Sequence, residues 1–475
     1  MPIILAQTFP VTSHTDHVGP GSTFVAIKGM AHDGVTFIPL ALDKGATTIV
    51  VQDNAQISQD IADRIKKSSA KLIKVPDTLM TVAQLSAQEA GHPAKKLRII
   101  GITGTKGKTT SAYLLEHIFS RSGFKTALIS TVDKLILGTK IPNKLTTPLP
   151  DYLQMFLKTC VEQGVQIVIM EVSAQALSLH RINGINFDGV IFTNFDQEHA
   201  EFYPTMESYF EAKKIIFNHL KDGAHILINS DDAWIQKISI KNINFLNFAY
   251  NKKADFTLSS FTTGIAGSEG IIEYNDKKFL FTSPLVGLFN GYNILGCASL
   301  AYKFGITIDQ IVHGLGTFSR VPGRLEQYQL KNGSSAFIDY AHNPSSFNAI
   351  LSFLNSLTDN LIVVFGAGGN RDHTKRPLMG KIAAQHTNKI ILTTDNPRSE
   401  KVEDIIKDIL NGIDQENASK VHCQLDREKA IKMAYDFSRS GSIIALLGKG
   451  PDEYQLINGQ KIPFSERKIL QSFTK

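Results

Sequence analysis

Short apolar runs recur along most of the chain, and many are followed by segments with hydrophobic residues at helical spacing. Apolar runs bounded by turn residues predict buried strands, and recurrence every three or four residues predicts helices. Strands that alternate with helices favour a mostly parallel sheet with helices on its faces. The strand-like runs are Phe24–Ile27, Thr47–Val51, Leu97–Ile100, Ala127–Ile129, Val165–Met170, Val190–Phe192, Ile226–Ile228, Ala336–Ile338, Leu361–Phe365, Lys389–Leu392 and Ile443–Leu447. The helical patterns are Ala83–Ala90, Ser111–Ser122, Val402–Leu410 and Arg427–Phe437.

The alternation predicts an α/β protein of three domains. Residues 1–93 indicate a small N-terminal α/β domain, and Pro93–Lys96 has the composition of a linker. Residues 94–320 indicate a central domain with a P-loop-type, mostly parallel sheet. Within it, the polar stretch Lys252–Lys278 predicts a β-rich excursion. Residues 321–475 alternate again and indicate a Rossmann-like domain.

Composition adds few constraints. The chain of 475 residues is long enough for several cores, and its 43% hydrophobic residues are ordinary for a soluble protein. The net charge of +6 suits small anionic substrates and does not demand nucleic acid. Cys160, Cys297 and Cys423 are far apart, which favours a reducing cytoplasm over a disulfide framework. We identify no signal peptide and no apolar run long enough to span a bilayer.

The strongest local signal is the glycine-rich stretch from Gly101 to Thr110, between a strand-like run and a helical pattern. In that context glycines let backbone N–H groups close on phosphate oxygens at a helix N-terminus. Lys108 would reach the terminal phosphates and Thr109 a magnesium ion. The spacing departs from the standard P-loop, which needs glycine where this chain has Ile102. Nucleotide binding is favoured over the alternative, a glycine-rich turn without a ligand.

Polar residues also follow two central strands, where open α/β sheets bind ligands. Glu171 and Ser173 follow one strand, and Thr193, Asn194 and His199 follow another. Carboxylate and imidazole groups there would suit magnesium that bridges nucleotide phosphates. Spacing alone leaves open the alternative of a solvated Glu171 and an ordinary loop histidine.

Four polar clusters follow four strands of the C-terminal stretch. Because the carboxyl ends of parallel strands meet at one edge of a sheet, these clusters predict a binding site. No His-Glu-x-x-His, paired cysteine or Gly-x-Ser-x-Gly motif points to a zinc or serine hydrolase. The clusters are Asp339–His342, Gly366–Asp372, Asp395–Arg398 and Gly448–Gly450.

Taken in order, the motifs resemble those of the Mur ligases, ATP-dependent amide-forming enzymes of peptidoglycan synthesis. The resemblance covers nearly the whole chain, and the last motifs look most like the members that add the third residue of the stem peptide. The motifs are Gly104–Thr110, Met170–Ser173, Thr193-Asn194 with His199, Tyr209–Lys213, Phe289–Asn293, Pro322–Glu326, Asp339–His342, Lys375–Gly380, Asp395–Arg398 and Gly448–Gly450.

The resemblance implies that a carboxylate of a nucleotide-sugar peptide attacks the γ-phosphate of ATP, and that an amine then attacks the acyl phosphate. It implies Lys108, Glu171, His199 and Lys213 as catalytic residues. Two magnesium ions would be held by Thr109, Glu171, His199 and a CO₂-derived carbamate on Lys213, for which the alternative is a surface lysine. The implied contacts with ATP are Gly104, Thr105, Lys106, Gly107, Lys108, Thr109, Thr110, Asn290, Arg324, Asp339 and His342.

The other two substrates have their own implied sites. Thr15 takes the place of a serine that helps bind uracil in the family, and Asp16 stands where the family has arginine. The implied contacts with the UDP-N-acetylmuramoyl dipeptide are Thr15, Thr146, Thr147, Ser173 and Arg181. The implied contacts with the amine are Arg371, Asp395, Asn396, Pro397, Arg398, Gly448 and Asp452.

Two of these residues favour different amines. A guanidinium at Arg398 can grip the distal carboxylate of meso-diaminopimelate, which lysine lacks. Asp452 is closer to the lysine-adding pattern. We expect a ligase that adds meso-diaminopimelate and works as a cytoplasmic monomer on small molecules. The alternatives are a lysine-adding ligase, another Mur- or folylpolyglutamate-type ligase, and a non-catalytic ATP-binding paralogue.

Overall fold

The computed structural model describes residues 3–29, 32–142, 145–198 and 202–474. The chain forms two compact units. The first unit comprises the residues up to Thr262, Glu269–Ser283 and Leu288–Phe318, and the second comprises Thr263–Ser268, Pro284–Gly287 and the residues from Ser319 onward. The predicted α/β class is confirmed, whereas the three domain boundaries stay predictions. No helix in the described ranges is long and apolar enough to cross a membrane.

The first unit begins with a four-stranded parallel sheet whose strand order follows the chain. Its last helix starts at Thr78, before the predicted start at Ala83, because the side chain of Asp77 accepts the N–H of Met80 as an N-cap. The elements are β1 (Val11–Thr12), β2 (Thr23–Val25), α1 (Ile38–Asp43), β3 (Thr48–Gln52), α2 (Gln59–Lys67), β4 (Lys71–Val75) and α3 (Thr78–Glu89).

An eleven-stranded sheet follows, and its strands and helices continue the chain order. They are β5 (Arg98–Thr103), α4 (Lys108–Arg121), β6 (Thr126–Ile129), β7 (Lys134–Ile136), β8 (Thr139–Lys140), α5 (Pro150–Glu162), β9 (Ile167–Glu171), α6 (Ala174–Ser178), β10 (Phe187–Phe192), α7 (Met206–Lys214), β11 (Leu220–Asn229), β12 (Phe245–Tyr250), β13 (Phe256–Gly264), β14 (Gly267–Tyr274), β15 (Lys277–Ser283), α8 (Leu288–Lys303) and α9 (Ile308–Gly316). The predicted β-rich excursion is confirmed as β13, β14 and the start of β15.

The strand order of this sheet brings its polar strand ends together. The order is β15-β14-β13-β12-β11-β10-β5-β9-β6-β7-β8, and β5 pairs in parallel with both β10 and β9. Strands β5 and β9 are almost entirely buried, which explains their continuous apolar runs. Thr103, Glu171 and Phe192, the last residues of three adjacent parallel strands, therefore lie at one edge.

The second unit is built on a six-stranded sheet in the order β16-β17-β21-β18-β19-β20, parallel except for β16. Its elements are β16 (Glu326–Gln329), β17 (Ser335–Asp339), α10 (Pro344–Asn355), β18 (Leu361–Phe365), α11 (Lys375–His386), β19 (Lys389–Leu392), α12 (Val402–Leu410), β20 (Val421–Cys423), α13 (Arg427–Phe437), β21 (Ile443–Leu447), β22 (Tyr454–Ile457), β23 (Gln460–Pro463) and α14 (Glu466–Phe473). Strands β22 and β23 form a separate hairpin. As predicted, the four polar clusters follow adjacent parallel strands.

Candidate active site

The loop Gly104–Gly107 joins β5 to α4 and is packed too tightly for side chains at its two glycines. The angle φ is +138° at Gly104 and +81° at Gly107, values that side chains disfavour. A Cβ at Gly104 would collide with Thr193 Oγ1, and one at Gly107 would collide with Asn293 Oδ1. Asn293 in turn donates to Asn290 at 2.9 Å. The loop and the N-terminus of α4 thus form the kind of cradle that binds phosphate.

The segment after β10 holds this loop through Lys106. Thr193 Oγ1 and Asn194 Nδ2 donate to the Lys106 carbonyl at 2.6 and 3.0 Å, and the Lys106 N–H donates to Asn194 Oδ1 at 2.8 Å. The Lys106 ammonium pairs with Asp196 at 2.8 Å. Thr193 and Asn194 therefore shape the cradle, and each polar group of Lys106 has a protein partner.

Two lysines reach the same carbonyl of the loop. Lys108 Nζ donates to Gly104 O at 2.8 Å and to Thr105 O at 2.9 Å, and Lys213 Nζ donates to Gly104 O at 2.7 Å. Lys213 is 1% exposed, and its burial, with the charge of Lys108 adding to the effect, holds its pKa well below the usual value. The alternative of a surface lysine is therefore wrong for Lys213, although it describes Lys214, which pairs with an exposed glutamate.

Glu171 is fully buried at the end of β9, so the alternative of a solvated carboxylate is wrong. Its Oε1 accepts the Thr131 N–H at 2.7 Å and its Oε2 accepts Thr131 Oγ1 at 3.1 Å. Thr131 Oγ1 also lies 3.0 Å from Thr146 Oγ1. Within the described residues Glu171 has no ion-pair partner, and a buried carboxylate of that kind suits a divalent cation. Thr109 is buried at the start of α4, and His199 lies outside the described residues.

Three residues predicted to bind the nucleotide-sugar peptide meet beside Glu171. Thr147 Oγ1 donates to the Glu171 carbonyl at 2.8 Å and accepts the Ser173 N–H at 3.1 Å. Arg181 Nη1 donates to the Thr147 carbonyl at 3.1 Å, while its Nε is buried without a hydrogen-bond partner in the part of the chain described. Burial lowers the pKa of Arg181. An anionic group would satisfy this guanidinium.

Thr15 lies in a short helical turn after β1. Its carbonyl accepts a hydrogen bond from Lys44 Nζ at 2.8 Å. The preceding residues are tied to α5, because Thr12 Oγ1 and the Ser13 N–H donate to Asp151 at 2.8 and 2.9 Å. Asp16 is exposed, and its N–H donates to the ring of the preceding histidine.

In the second unit, Asp339 ends β17 as a buried carboxylate. It accepts two backbone N–H groups at 2.7 and 2.8 Å. Burial raises its pKa, and the positive charge of Arg324 opposes that rise. The Arg324 guanidinium lies 5.0 Å from the centre of the Tyr340 ring, and His342 Nδ1 lies 2.7 Å from the Tyr340 carbonyl. Arg324, Asp339 and His342, predicted to contact ATP, thus cluster around one strand end.

The ends of β19 and β21 form a second cluster in this unit. The fully buried Lys449 donates to Asn396 Oδ1 at 3.0 Å and lies 3.8 Å from Asp395. Asn396 Nδ2 donates to Asp452 at 3.3 Å. Gly448 has φ of +105°, and a Cβ there would collide with the Asp395 carboxylate. Burial raises the pKa of Asp452, and the charge of Lys449 opposes this.

Arg371 and Arg398 lie beside this cluster. Arg398 Nη1 donates to the Gly369 carbonyl at 2.7 Å. Burial lowers the pKa of Arg398, and the positive charge of Arg371 lowers it further. No carboxylate forms an ion pair with either guanidinium among the residues described. Two like charges without a counter-ion suit an anionic ligand.

Arg427 is a buried residue of the same region that the sequence did not reveal. It pairs with Glu466 at 2.8 Å and donates to the carbonyls of Thr394 and Leu447 at 3.1 and 2.9 Å. These carbonyls immediately precede Asp395 and Gly448, so one guanidinium holds two strand ends. An arginine in the first turn of a helix carries no local sign of such burial.

Comparison with known proteins agrees with this arrangement. The Mur ligase middle domain matches residues 102–301, the Mur ligase glutamate ligase domain matches 323–450, and the Mur ligase family catalytic domain matches 11–90. The UDP-N-acetylmuramoyl-L-alanyl-D-glutamate–2,6-diaminopimelate ligase of Aquifex aeolicus is 38% identical over 470 residues, which cover 98% of this chain and 94% of that protein. The chain belongs to the Mur ligase family. The ligase of the same name from Clostridium perfringens is 37% identical over 461 residues, covering 95% and 91% of the two chains.

Solved structures of Mur ligases share the fold. A structure of UDP-N-acetylmuramoyl-L-alanyl-D-glutamate–2,6-diaminopimelate ligase aligns with a TM-score of 0.67 and 27% identity, covering 98% of this chain and 94% of the other. MurF ligase from Thermotoga maritima in complex with ADP aligns with a TM-score of 0.66 and 20% identity, covering 93% and 94%. The resemblance found in the motifs is thus confirmed, and this Mur ligase is an ATP-dependent, ADP-forming amide ligase.

Proposed function

We propose that this Mur ligase joins meso-diaminopimelate to UDP-N-acetylmuramoyl-L-alanyl-D-glutamate and converts ATP to ADP and phosphate. The names of the A. aeolicus and C. perfringens relatives support both substrates. The observation that carries the choice of amine is the pair Arg371 and Arg398, which lacks a carboxylate partner in the described second unit. A second carboxylate on the amine would supply the missing counter-charge.

In the first step, a carboxylate oxygen of the nucleotide-sugar peptide bonds to the γ-phosphorus of ATP. The bond from that phosphorus to the bridging oxygen breaks, and ADP leaves with the electron pair. We assign Lys108 and the Gly104–Gly107 loop to the ATP phosphates, because such transfer depends on alignment and charge stabilisation. Arg181, with Thr147 and Ser173, orients the peptide, because its buried Nε can donate to a carboxylate.

In the second step, the amine nitrogen bonds to the acyl carbon, the bond from that carbon to the phosphate oxygen breaks, and the nitrogen loses a proton. Arg371 and Arg398 would bind the distal carboxylate of the amine. Asp452, held by Asn396, would bind its distal ammonium group. These contacts hold the reacting nitrogen in position through the remote end of the substrate.

The family implies magnesium, and the buried, unpaired carboxylate of Glu171 fits it. Thr109, Glu171, His199 and a carbamate on Lys213 would hold the metal, which when bound neutralises charge on the phosphates. Carbamylation needs a neutral amine, and the lowered pKa of Lys213 supplies one. The carbamate replaces a buried positive charge with an anionic oxygen donor.

Phosphate release from ATP with UDP-N-acetylmuramoyl-L-alanyl-D-glutamate tests the proposal. We expect release to require an amine, to be faster with meso-diaminopimelate than with lysine, and to fall about tenfold or more with meso-diaminopimelate in Arg398→Ala. Arg439→Ala, which changes an exposed arginine of the same unit, should behave as wild type. Unchanged use of meso-diaminopimelate in Arg398→Ala would remove the role of that arginine. Release that never depends on an amine would favour the non-catalytic paralogue.

Lysine addition is a second candidate, favoured by Asp452. This carboxylate could bind the distal ammonium group of either amine, so it does not require a second carboxylate on the substrate. Phosphate release with lysine but not with meso-diaminopimelate would establish this alternative.

A further inference from the structure

Arg398 has an unusual backbone conformation that other parts of the second unit hold in place. Its φ is +54°, in the left-handed region that non-glycine residues rarely occupy. The Arg398 N–H donates to the Leu456 carbonyl at 2.9 Å, and the Asn458 N–H donates to the Arg398 carbonyl at 2.6 Å. The β22–β23 hairpin therefore pairs with the arginine on both sides. A strained residue held this firmly indicates a functional constraint.

The hairpin is well suited to this role. Asn458 and Gly459 form its two-residue turn, with φ of +48° and +79°, the pattern of a type I′ turn. The Leu456 N–H also donates to Asn396 Oδ1 at 2.9 Å. One edge of the hairpin thus fixes both Asn396 and Arg398, two residues predicted to contact the amine.

The arginine side chain is held by a different element, the loop after β18. Arg398 Nη1 donates to the Gly369 carbonyl, and an added Cβ at Gly368 would lie 3.0 Å from Arg398 Nη1 and 3.7 Å from Arg371 Cγ. On its other side the loop is held by Arg376, whose Nη2 donates to the Gly368 carbonyl at 3.1 Å. The missing side chain at Gly368 leaves room for the Arg398 guanidinium.

We propose that Gly368 and the β22–β23 hairpin hold the Arg398 guanidinium in position for a ligand carboxylate, which makes Gly368 a residue that determines amine specificity. The inference rests on the proposed function, because it assigns how Arg398 is positioned for meso-diaminopimelate. A methyl group at Gly368 would displace the end of the arginine side chain, while the strand ends that carry Asp395 and Gly448 keep their supports.

The test combines Gly368→Ala, Arg398→Ala and the double variant. We expect Gly368→Ala to raise KM for meso-diaminopimelate about tenfold, the effect of losing one charge-assisted contact, with KM for ATP and for the nucleotide-sugar peptide unchanged. The double variant should match Arg398→Ala, because Gly368 acts only through the arginine. Gly264→Ala is the matched control, since its added Cβ would meet no atom within 4 Å and its φ is ordinary.

An unchanged KM in Gly368→Ala, or effects that add in the double variant, would overturn the inference. A wild-type enzyme that does not use meso-diaminopimelate would instead overturn the proposed function. If Gly368→Ala fails to fold, Asn458→Val replaces it, because a β-branched residue disfavours the positive φ of the hairpin turn. That variant should raise KM for meso-diaminopimelate alone, and the same KM as wild type would refute the role of the hairpin.

Discussion

Lys108 and Lys213 donate hydrogen bonds to the same backbone carbonyl, that of Gly104, at 2.8 and 2.7 Å. Two ammonium groups at one acceptor repel each other, and the fully buried Lys213 responds with a strongly lowered pKa. The phosphate loop is thereby linked to a lysine on α7 that can carry a neutral amine. The first prediction uses this difference between Lys213 and its neighbour.

Replacing Lys213 by arginine should abolish most activity without removing a positive charge. A guanidinium stays protonated and cannot add CO₂, so the proposed carbamate cannot form. We expect kcat for phosphate release to fall about 100-fold or more, as for a lost electrostatic group at a reaction centre. Lys214→Arg is the matched control, because Lys214 points away and pairs with Glu211. Equal activity of both variants would contradict the carbamate.

Lys134 predicts a pH dependence of stability. It is 1% exposed on β7, donates to the Ser130 carbonyl at 2.7 Å, and burial lowers its pKa to about 8. The unfolded chain therefore binds more protons between pH 8 and the ordinary lysine pKa, so stability rises with pH in that window. Relative to Lys134→Met, the wild-type free energy of unfolding should rise by about 3 kcal/mol from pH 8 to pH 10.5.

Urea denaturation of the two proteins at each pH measures this difference. The comparison with Lys134→Met cancels the titration of other groups that both proteins share. A difference that stays constant across the window would show that the lysine has an ordinary pKa in the folded protein.

The Arg427–Glu466 pair predicts a large difference between buried and exposed ion pairs. Arg427→Ala leaves the Glu466 carboxylate buried without its partner, which costs about 3–5 kcal/mol of unfolding free energy. Arg64→Ala removes an exposed pair with Asp43 and should cost at most about 1 kcal/mol. Denaturant titration measures both. Similar losses in the two variants would contradict the structural role assigned to Arg427.

Local patterns predicted the elements better than they predicted the burial of charged groups. Helix α12 and helix α13 begin and end where the apolar periodicity placed them, because that periodicity is set by neighbouring residues. The burial of Glu171 and Lys213 depends on strands and loops distant in the chain, and spacing left both with solvated alternatives. Arg427 was missed for the same reason, since its acceptors are carbonyls from two other strand ends.

The glycine loop supplies the last prediction, which separates backbone strain from steric fit. Gly107 and Gly123 lie just before and just after α4, with φ of +81° and +92°. Alanine at either position should cost roughly 1 kcal/mol of stability, because both conformations disfavour a side chain. Only at Gly107 would the new Cβ also collide with Asn293, whereas Gly123 has open space around it. Thermal unfolding should therefore change similarly in both variants.

Nucleotide binding should differ between them. Gly107→Ala must shift the backbone whose N–H groups face the phosphates, so we expect its Kd for ATP, measured by calorimetry, to rise about tenfold or more through the loss of a charge-assisted hydrogen bond. Gly123→Ala should keep the wild-type Kd, since it changes only the far end of the helix. If both variants bound ATP as wild type does, the Gly104–Gly107 loop would not be the phosphate cradle. If both lost affinity equally, general destabilisation rather than the fit of the loop would account for the effect.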